Sequence, residues 1–243
     1  MLIINADDWG GWESATNAAL ACFRQRRITS VTAMVFMADS ERAAALARDA
    51  GMDVGLHLNL NLPFTGTACP ENVRNQQKRV CRWLQLHKFA QLLYNPMLSG
   101  AFRSVYGWQI EEFERLYGRL PSHLDGHQHM HLCMNMLVGD IIPRGQKVRR
   151  NFSFWPGEKT CLNRAYRRWA DRRLARCHRL TDYFFSLGQC LHHGRMPRVE
   201  ELAQRSNVEL MTHPEQVEER SWLMGGDCTA LLQRLRAGSY ADL

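Results

Sequence analysis

The sequence predicts an α/β fold built on parallel strands, and three observations carry that reading. Strand-like and helix-like segments alternate as far as Leu58, a pattern that requires helical crossovers between parallel strands. The chain is 243 residues long, a normal length for one β/α barrel and short for two domains. Its composition, 45% hydrophobic and 23% charged, is that of a globular protein with a sizeable core.

The elements follow from local pattern. Leu2-Ile3-Ile4-Asn5 is a short apolar run stopped by polar residues and reads as a buried strand. Residues 13–26 carry Ala15, Ala18, Ala19, Cys22 and Phe23 at helical spacing. Residues 30–36 are β-branched and apolar, a second strand. Asp39 or Ser40 can cap a helix running to Ala50, with Gly51 to close it. Residues 53–58 give a third strand. The rhythm then breaks. Residues 62–107, with Pro63, Gly66, Pro70, Pro96 and Gly100 around a helix at 76–93, read as an insertion or lid on the functional face. Beyond it come a helix at 109–117, a strand at 122–127, a helix at 131–141 and a short strand at 147–150. A strongly basic helix spans 162–180, with Leu162, Tyr166, Trp169 and Leu174 as its apolar edge, and strands follow at 183–185 and 208–211. The whole of 1–243 is expected to be one domain, without internal repeats.

Several classes are excluded. The opening apolar run is too short for a signal peptide, and no run of 18 apolar residues exists to span a membrane. The 8 cysteines are scattered with no C-x-x-C pair, so they read as reduced thiols of a cytoplasmic protein rather than a disulfide or zinc framework. The net charge of +7 is concentrated between Arg144 and Arg179 and describes a region, not the whole molecule.

Three clusters sit at the C-terminal ends of proposed strands: Asn5-Ala6-Asp7-Asp8-Trp9-Gly10-Gly11, Gly55-Leu56-His57-Leu58-Asn59, and His123-Leu124-Asp125-Gly126-His127-Gln128-His129-Met130-His131. Thr212-His213-Pro214 is a lighter fourth. Adjacent acids at a strand end are often only a turn or cap, and a lone histidine is more often a hydrogen-bonded core residue than a ligand. Three histidines at alternate positions are harder to explain by packing, because alternate strand residues share a face; a metal ion takes neutral imidazoles as ligands. Two histidines and a carboxylate from different strand ends make an open divalent-metal site. Water there ionises near neutral pH, and a second carboxylate beside the first can take its proton. In an extended strand Asp7 and Asp8 face opposite ways, so the Gly10-Gly11 turn is expected to bend the backbone and let both reach the site.

At these residues the chain resembles the YdjC-like carbohydrate deacetylases, whose members act on chitooligosaccharides or accompany hopanoid biosynthesis. The matching pieces are Asn5-Ala6-Asp7-Asp8-Trp9-Gly10, Thr29-Ser30-Val31-Thr32, Gly55-Leu56-His57-Leu58-Asn59, the run from Pro121 to His131, and Glu209-Leu210-Met211-Thr212-His213-Pro214. They occur in the family's order across nearly the whole chain. The resemblance implies a distorted β/α barrel that removes acetyl groups from N-acetylated sugars. It implies Asp8, His57 and His127 as ligands of one divalent ion, magnesium or zinc. Asp7 is then the base, and His213 the general acid or oxyanion stabiliser. Trp9 stands where the family usually has Phe and is a candidate for stacking on a sugar; Asn59, His129 and Arg150 are further candidates for substrate contact. Glu215 replaces the Gly that often follows the late His-Pro. The 151–157 run and the basic helix match no motif of known substrate.

The expected partner is therefore a carbohydrate or glycolipid, with homodimerisation left open and no specific nucleic acid. Two rival readings remain: a phosphoesterase using the same ligands with Arg149, Arg150 and the Arg-rich stretch on phosphate, and a nonenzymatic membrane-surface or nucleic-acid-binding protein built on the 162–180 helix. The solvated helix face is favoured over that second rival, although peripheral membrane contact through Tyr166 and Trp169 stays compatible with a cytoplasmic enzyme. An iron dioxygenase ranks last, since its usual all-β setting is missing.

Overall fold

Six strands, β1 (Leu2–Trp9), β2 (Ser30–Ala33), β3 (Val54–Leu58), β4 (Leu124–Gly126), β5 (Tyr183–Ser186) and β6 (Val208–Thr212), form one sheet in the computed structural model. Residues 1–154 and 157–243 are described; Trp155 and Pro156, within the unassigned 151–157 run, lie outside the described residues. The strand order is β4-β3-β2-β1-β6-β5, and every pairing is parallel. Irregular chain spans the gap between the two edges. Leu124 N donates to Lys147 O and Arg149 N to Leu124 O, while Ser153 N donates to Phe184 O, each at 2.9 Å. The sheet thus curls into a distorted barrel. The 147–150 segment, expected as a strand, forms only isolated bridges, to β4 and to Arg179, because it alternates between Leu124 and the chain leading to β5 and runs along neither.

The helices are α1 (Glu13–Arg24), α2 (Ser40–Ala50), α3 (Glu71–Gln85), α4 (Ser99–Tyr117), α5 (Met134–Val138), α6 (Cys161–Ala175), α7 (Leu187–His192), α8 (Met196–Arg205), α9 (Val217–Met224) and α10 (Gly226–Arg234). Gly51 ends α2 with φ +64°, the left-handed closure that glycine allows. Between β3 and α4 lies the extra segment, with α3 and two 3₁₀ turns. Residues 99–107 belong to the first turns of α4, which packs on α2 and β3. The helix expected at 131–141 shortens to α5. The helices after β5 and β6, α7 to α10, are brief and escaped the sequence pattern. In α6 the buried face is Ala170 and Leu174, while Leu162 and Trp169 stay exposed.

The alternation along each strand sorts two environments. Outward residues such as Ile4, Ala6, Val31, Ala33, Leu56, Leu58, Leu124 and Leu210 join the apolar core beneath the helices. The inward positions are largely polar. Ser30 Oγ donates to Asn5 Oδ1 at 2.7 Å, and Asn5 Nδ2 donates to Thr32 Oγ1 at 3.0 Å. Thr32 Oγ1 donates to Asp125 Oδ2 at 3.0 Å. Buried polar groups survive only when bonded in this way. Near the other end of the barrel the His123 ring stacks on Tyr240, centroids 3.8 Å apart. Gly55 lies on its other side, where a Cβ would fall 2.5 Å from the imidazole.

Candidate functional site

Asp8 reaches the barrel mouth through a break in β1. The β1–β2 register shifts between Ala6 and Trp9, and Asp8 itself takes φ +63°. That bulge, rather than the Gly10-Gly11 turn, brings Asp8 to the same side as Asp7. A left-handed aspartate is costly enough to be kept only where its surroundings impose it.

His57 stands at the end of β3 and His127 just past β4. Asp8 Oδ1 lies 3.2 Å from His57 Nε2 and 3.0 Å from His127 Nδ1. Burial raises the Asp8 carboxyl, but hydrogen bonds to His127 and His57 outweigh it and hold the group well below the ordinary carboxylate range. The opposite ring nitrogen of His57, Nδ1, is 2.7 Å from Asp125 Oδ1. His57 and Asp125 are register partners across β3 and β4, so strand pairing itself sets this contact. Burial pushes the His57 imidazolium down, yet Asp125, Asp7 and Asp8 leave it well above its usual value.

Arg149 lies beneath this cluster, fully buried. Its Nη1 donates to Asp7 Oδ2 and its Nη2 to Asp7 Oδ1, both at 2.7 Å. Nη1 is also 2.6 Å from Asp125 Oδ2, and Nε donates to Glu209 Oε1 at 2.8 Å. Tyr240 OH donates to Glu209 Oε2 at 2.5 Å. Burial would lower the guanidinium, but Asp125, Asp7 and Glu209 hold it well above its ordinary value. Glu209, by contrast, is pushed up to about 7 by burial.

His213 follows β6. Its backbone N and the Thr212 hydroxyl both donate to Glu219 Oε2 at 2.7 Å. Its Nε2 is 3.8 Å from Asp8 Oδ2. Asp7, Asp8 and His213 border a 120 Å³ cavity with Trp12, Pro214 and Glu215. Glu215 accepts from Trp12 Nε1 at 2.6 Å and Ser14 Oγ at 2.5 Å, so it ties the loop after β6 to the loop after β1.

Two overlapping groups of donor atoms gather within 4.8 Å among the described residues: Asp8, His57 and His127, and Asp7, His57 and Asp125. In the second, Arg149 already occupies both carboxylates. The first faces the mouth and suits a divalent ion. Charge supports the fit. The carboxylates of Asp7, Asp8, Asp125 and Glu209 outnumber the Arg149 guanidinium beneath them, and a dication would offset that excess. The Asp125–His57 contact is also the support that metal-bound imidazoles usually have behind them.

The four further candidates fall elsewhere. Trp9 is fully buried in the core. Asn59 shapes the turn after β3, accepting from Leu62 N at 2.9 Å and donating to Leu62 O at 2.8 Å. His129 packs edge-on against Phe152, centroids 4.6 Å apart. Arg150 pairs with Asp171 at 2.9 Å. The three histidines do not share a strand face: β4 ends at Gly126, opposite the last residue of β3, and Gln128 and His129 are left-handed at φ +50° and +60°. Only His127 joins the cluster; His131 Nε2 is 3.0 Å from Arg149 O. Of the two arginines of the phosphoesterase reading, Arg149 is buried among three carboxylates and Arg150 is partly exposed beside Asp171. Asp125 and Glu209 were not singled out as site residues in the sequence, and Arg149 only as a phosphate holder in the phosphoesterase reading. One signal was present: Glu209 is a charge inside an otherwise apolar strand, and such a charge needs a buried partner.

The YdjC-like protein family profile matches residues 1–235. A carbohydrate deacetylase from Danio rerio is 29% identical over 134 residues, covering 54% of this chain and 42% of that protein. Chitooligosaccharide deacetylases from Serratia marcescens and Yersinia pestis are 31% and 30% identical over 133 residues, 54% of this chain and 51% of theirs. The match thus spans about half the length of these relatives or less. A solved structure from Enterococcus faecalis V583, of a protein named as a candidate for cellobiose-phosphate cleavage, superposes with a TM-score of 0.70 at 16% identity. It covers 99% of this chain and 97% of its own, a likeness of fold.

Proposed function

Because the chain belongs to the YdjC-like family, we propose that it is a metal-dependent deacetylase of N-acetylated sugars. One observation carries the reading: Asp8, His57 and His127 converge from three strand ends beside a second acid, Asp7, that Arg149 holds in place. The relatives named as carbohydrate and chitooligosaccharide deacetylases support the substrate class.

Asp8, His57 and His127 would hold the divalent ion, magnesium or zinc. Such an ion polarises a carbonyl oxygen and makes water acidic near neutral pH. Asp125 fixes the His57 ring so that Nε2 is presented to the mouth. Asp7 serves as general base: Oδ2 accepts from Arg149 Nη1, and a carboxylate oxygen keeps a second lone pair for a water proton. Arg149 fixes Asp7 in direction through both carboxylate oxygens. His213, on the rim near Asp8 and partly solvent-accessible, would give a proton to the departing amine. The loop tie from Glu215 to Trp12 and Ser14 narrows the opening where the acetyl group would enter.

The test is acetate release from N-acetylated oligosaccharides by metal-loaded protein. Release that is lost in Asp7→Asn supports the assignment. No acetate from a broad panel, with metal bound, would contradict it.

A further inference from the structure

Six of the eleven exposed large apolar side chains among the described residues fall within residues 86–97: Leu86, Phe89, Leu92, Leu93, Tyr94 and Met97. Met97 is 88% exposed and Leu86 70%. Isolated exposed apolar residues are ordinary, but a concentrated set marks an interaction surface. Its surroundings are cationic. Between Glu71 and Glu111 the chain has no acid and carries Arg74, Lys78, Arg79, Arg82, Lys88 and Arg103. Lys88 Nζ sits 5.0 Å over the Phe89 ring, placing positive charge directly beside the apolar tip. The 3₁₀ turn at Ala90–Leu92 packs on α5, and α5 packs on α6. On α6 Leu162 is 84% exposed, and the stretch from Lys159 to Arg179 holds eight Lys and Arg against Asp171 alone.

We infer that the 86–97 segment docks on an anionic lipid surface, its apolar side chains entering the headgroup region while the flanking cations meet lipid phosphates. The chemistry selects this occupant. A nucleic acid would use the cations but leave Leu86, Phe89 and Met97 in water, and a surface needing only apolar contact would not gather acid-free basic chain around it. The sequence had pointed to the 162–180 helix for this role. In the present proposal the extra segment inserts and α6 is its basic flank. The segment also stands on the mouth side of the barrel: it follows the C-terminal end of β3, and Asn61 Nδ2 donates to Gln128 Oε1 at 2.6 Å beside His127. The inference does not depend on the deacetylase reading, because binding is measured without substrate.

The experiment is sedimentation of the full chain with vesicles of phosphatidylglycerol and phosphatidylcholine in equal parts, against pure phosphatidylcholine. A triple variant, Leu86→Ser with Phe89→Ser and Met97→Ser, is run alongside, and its far-UV spectrum and melting curve verify folding. The expected result is salt-sensitive binding to the mixed vesicles, weakened at least about tenfold in the triple variant, and reduced in Arg168→Gln with Arg172→Gln. Absence of binding at low salt overturns the inference. So does binding that the folded triple variant retains in full, which is charge adhesion without insertion. A wild-type dimer that becomes monomeric in the triple variant, by sedimentation velocity, would show that a second copy covers the segment.

Discussion

Arg149 grips Asp7 with two parallel hydrogen bonds of 2.7 Å, end to end across the floor of the barrel mouth. The same guanidinium touches Asp125 and Glu209, so one cation holds the proposed base, the acid behind His57 and a buried strand acid together. Removing it leaves carboxylates buried without their partner. Arg149→Met should therefore cost about 3–5 kcal/mol of stability, read as a lower urea midpoint. Arg149→Lys should recover part of the stability but less of the activity, because an ammonium cannot hold both Asp7 oxygens in one plane. Unchanged stability in Arg149→Met would refute the organising role of this residue.

Asp125→Asn separates ligand orientation from ligand identity. The three proposed ligands remain, but the 2.7 Å contact that fixes His57 loses its charge. Metal affinity should fall by roughly 10–100-fold, measured by titration against a competing chelator. An affinity equal to wild type would mean that the His57 ring is oriented by something else.

His123 and His131 are buried, and burial pushes both imidazoles down to about 4. In the unfolded chain they take a proton near 6.5. Between those values the unfolded chain binds protons that the folded one refuses, so stability is full above the upper value and lost as pH falls through the window. Each site contributes up to about 1.4 kcal/mol per pH unit there. Urea melts from pH 7 down to about 4.5 should show this slope, and His131→Gln should flatten it by about one proton. Equal slopes in the two proteins would count against a neutral His131.

Gly55→Ala tests the packing under the site. A methyl there would meet the His123 imidazole, which Tyr240 backs from the other side. Overpacking of this kind costs about 1–3 kcal/mol. A thermal melt showing no loss would mean that the ring moves aside freely.

The end of β3 was legible in sequence, whereas β1 runs on to Trp9, through the acids expected to stop it after Asn5. The alternation of strands and helices as far as Leu58 was equally plain, since each element has the length and period of its type. Other features left weaker marks. The left-handed turn at Gln128 and His129 breaks a run that reads as alternating, because the strand stops where β3 stops pairing, a tertiary fact. Lys147-Val148-Arg149-Arg150 offers two arginines, and only the curl of the barrel decides that Arg149 turns inward while Arg150 goes to Asp171. The bulge at Asp8 has no sequence signature of its own: nothing in Asp7-Asp8-Trp9 marks which residue takes φ +63°. Helices α7, α9 and α10 carry too few turns for a clear period to emerge, whereas α8 buries Val199, Leu202 and Ala203 at helical spacing.

The most direct test of the proposed metal centre is elemental analysis of purified, zinc-loaded protein, wild type beside His127→Ala. His127 lies on the mouth side, with its side chain partly exposed, so its truncation should leave the fold intact. The expected result is about one ion per wild-type chain, as for an open three-ligand site, and a clear loss in the variant. An undiminished metal content in His127→Ala would contradict the assignment of Asp8, His57 and His127 as the ligand set.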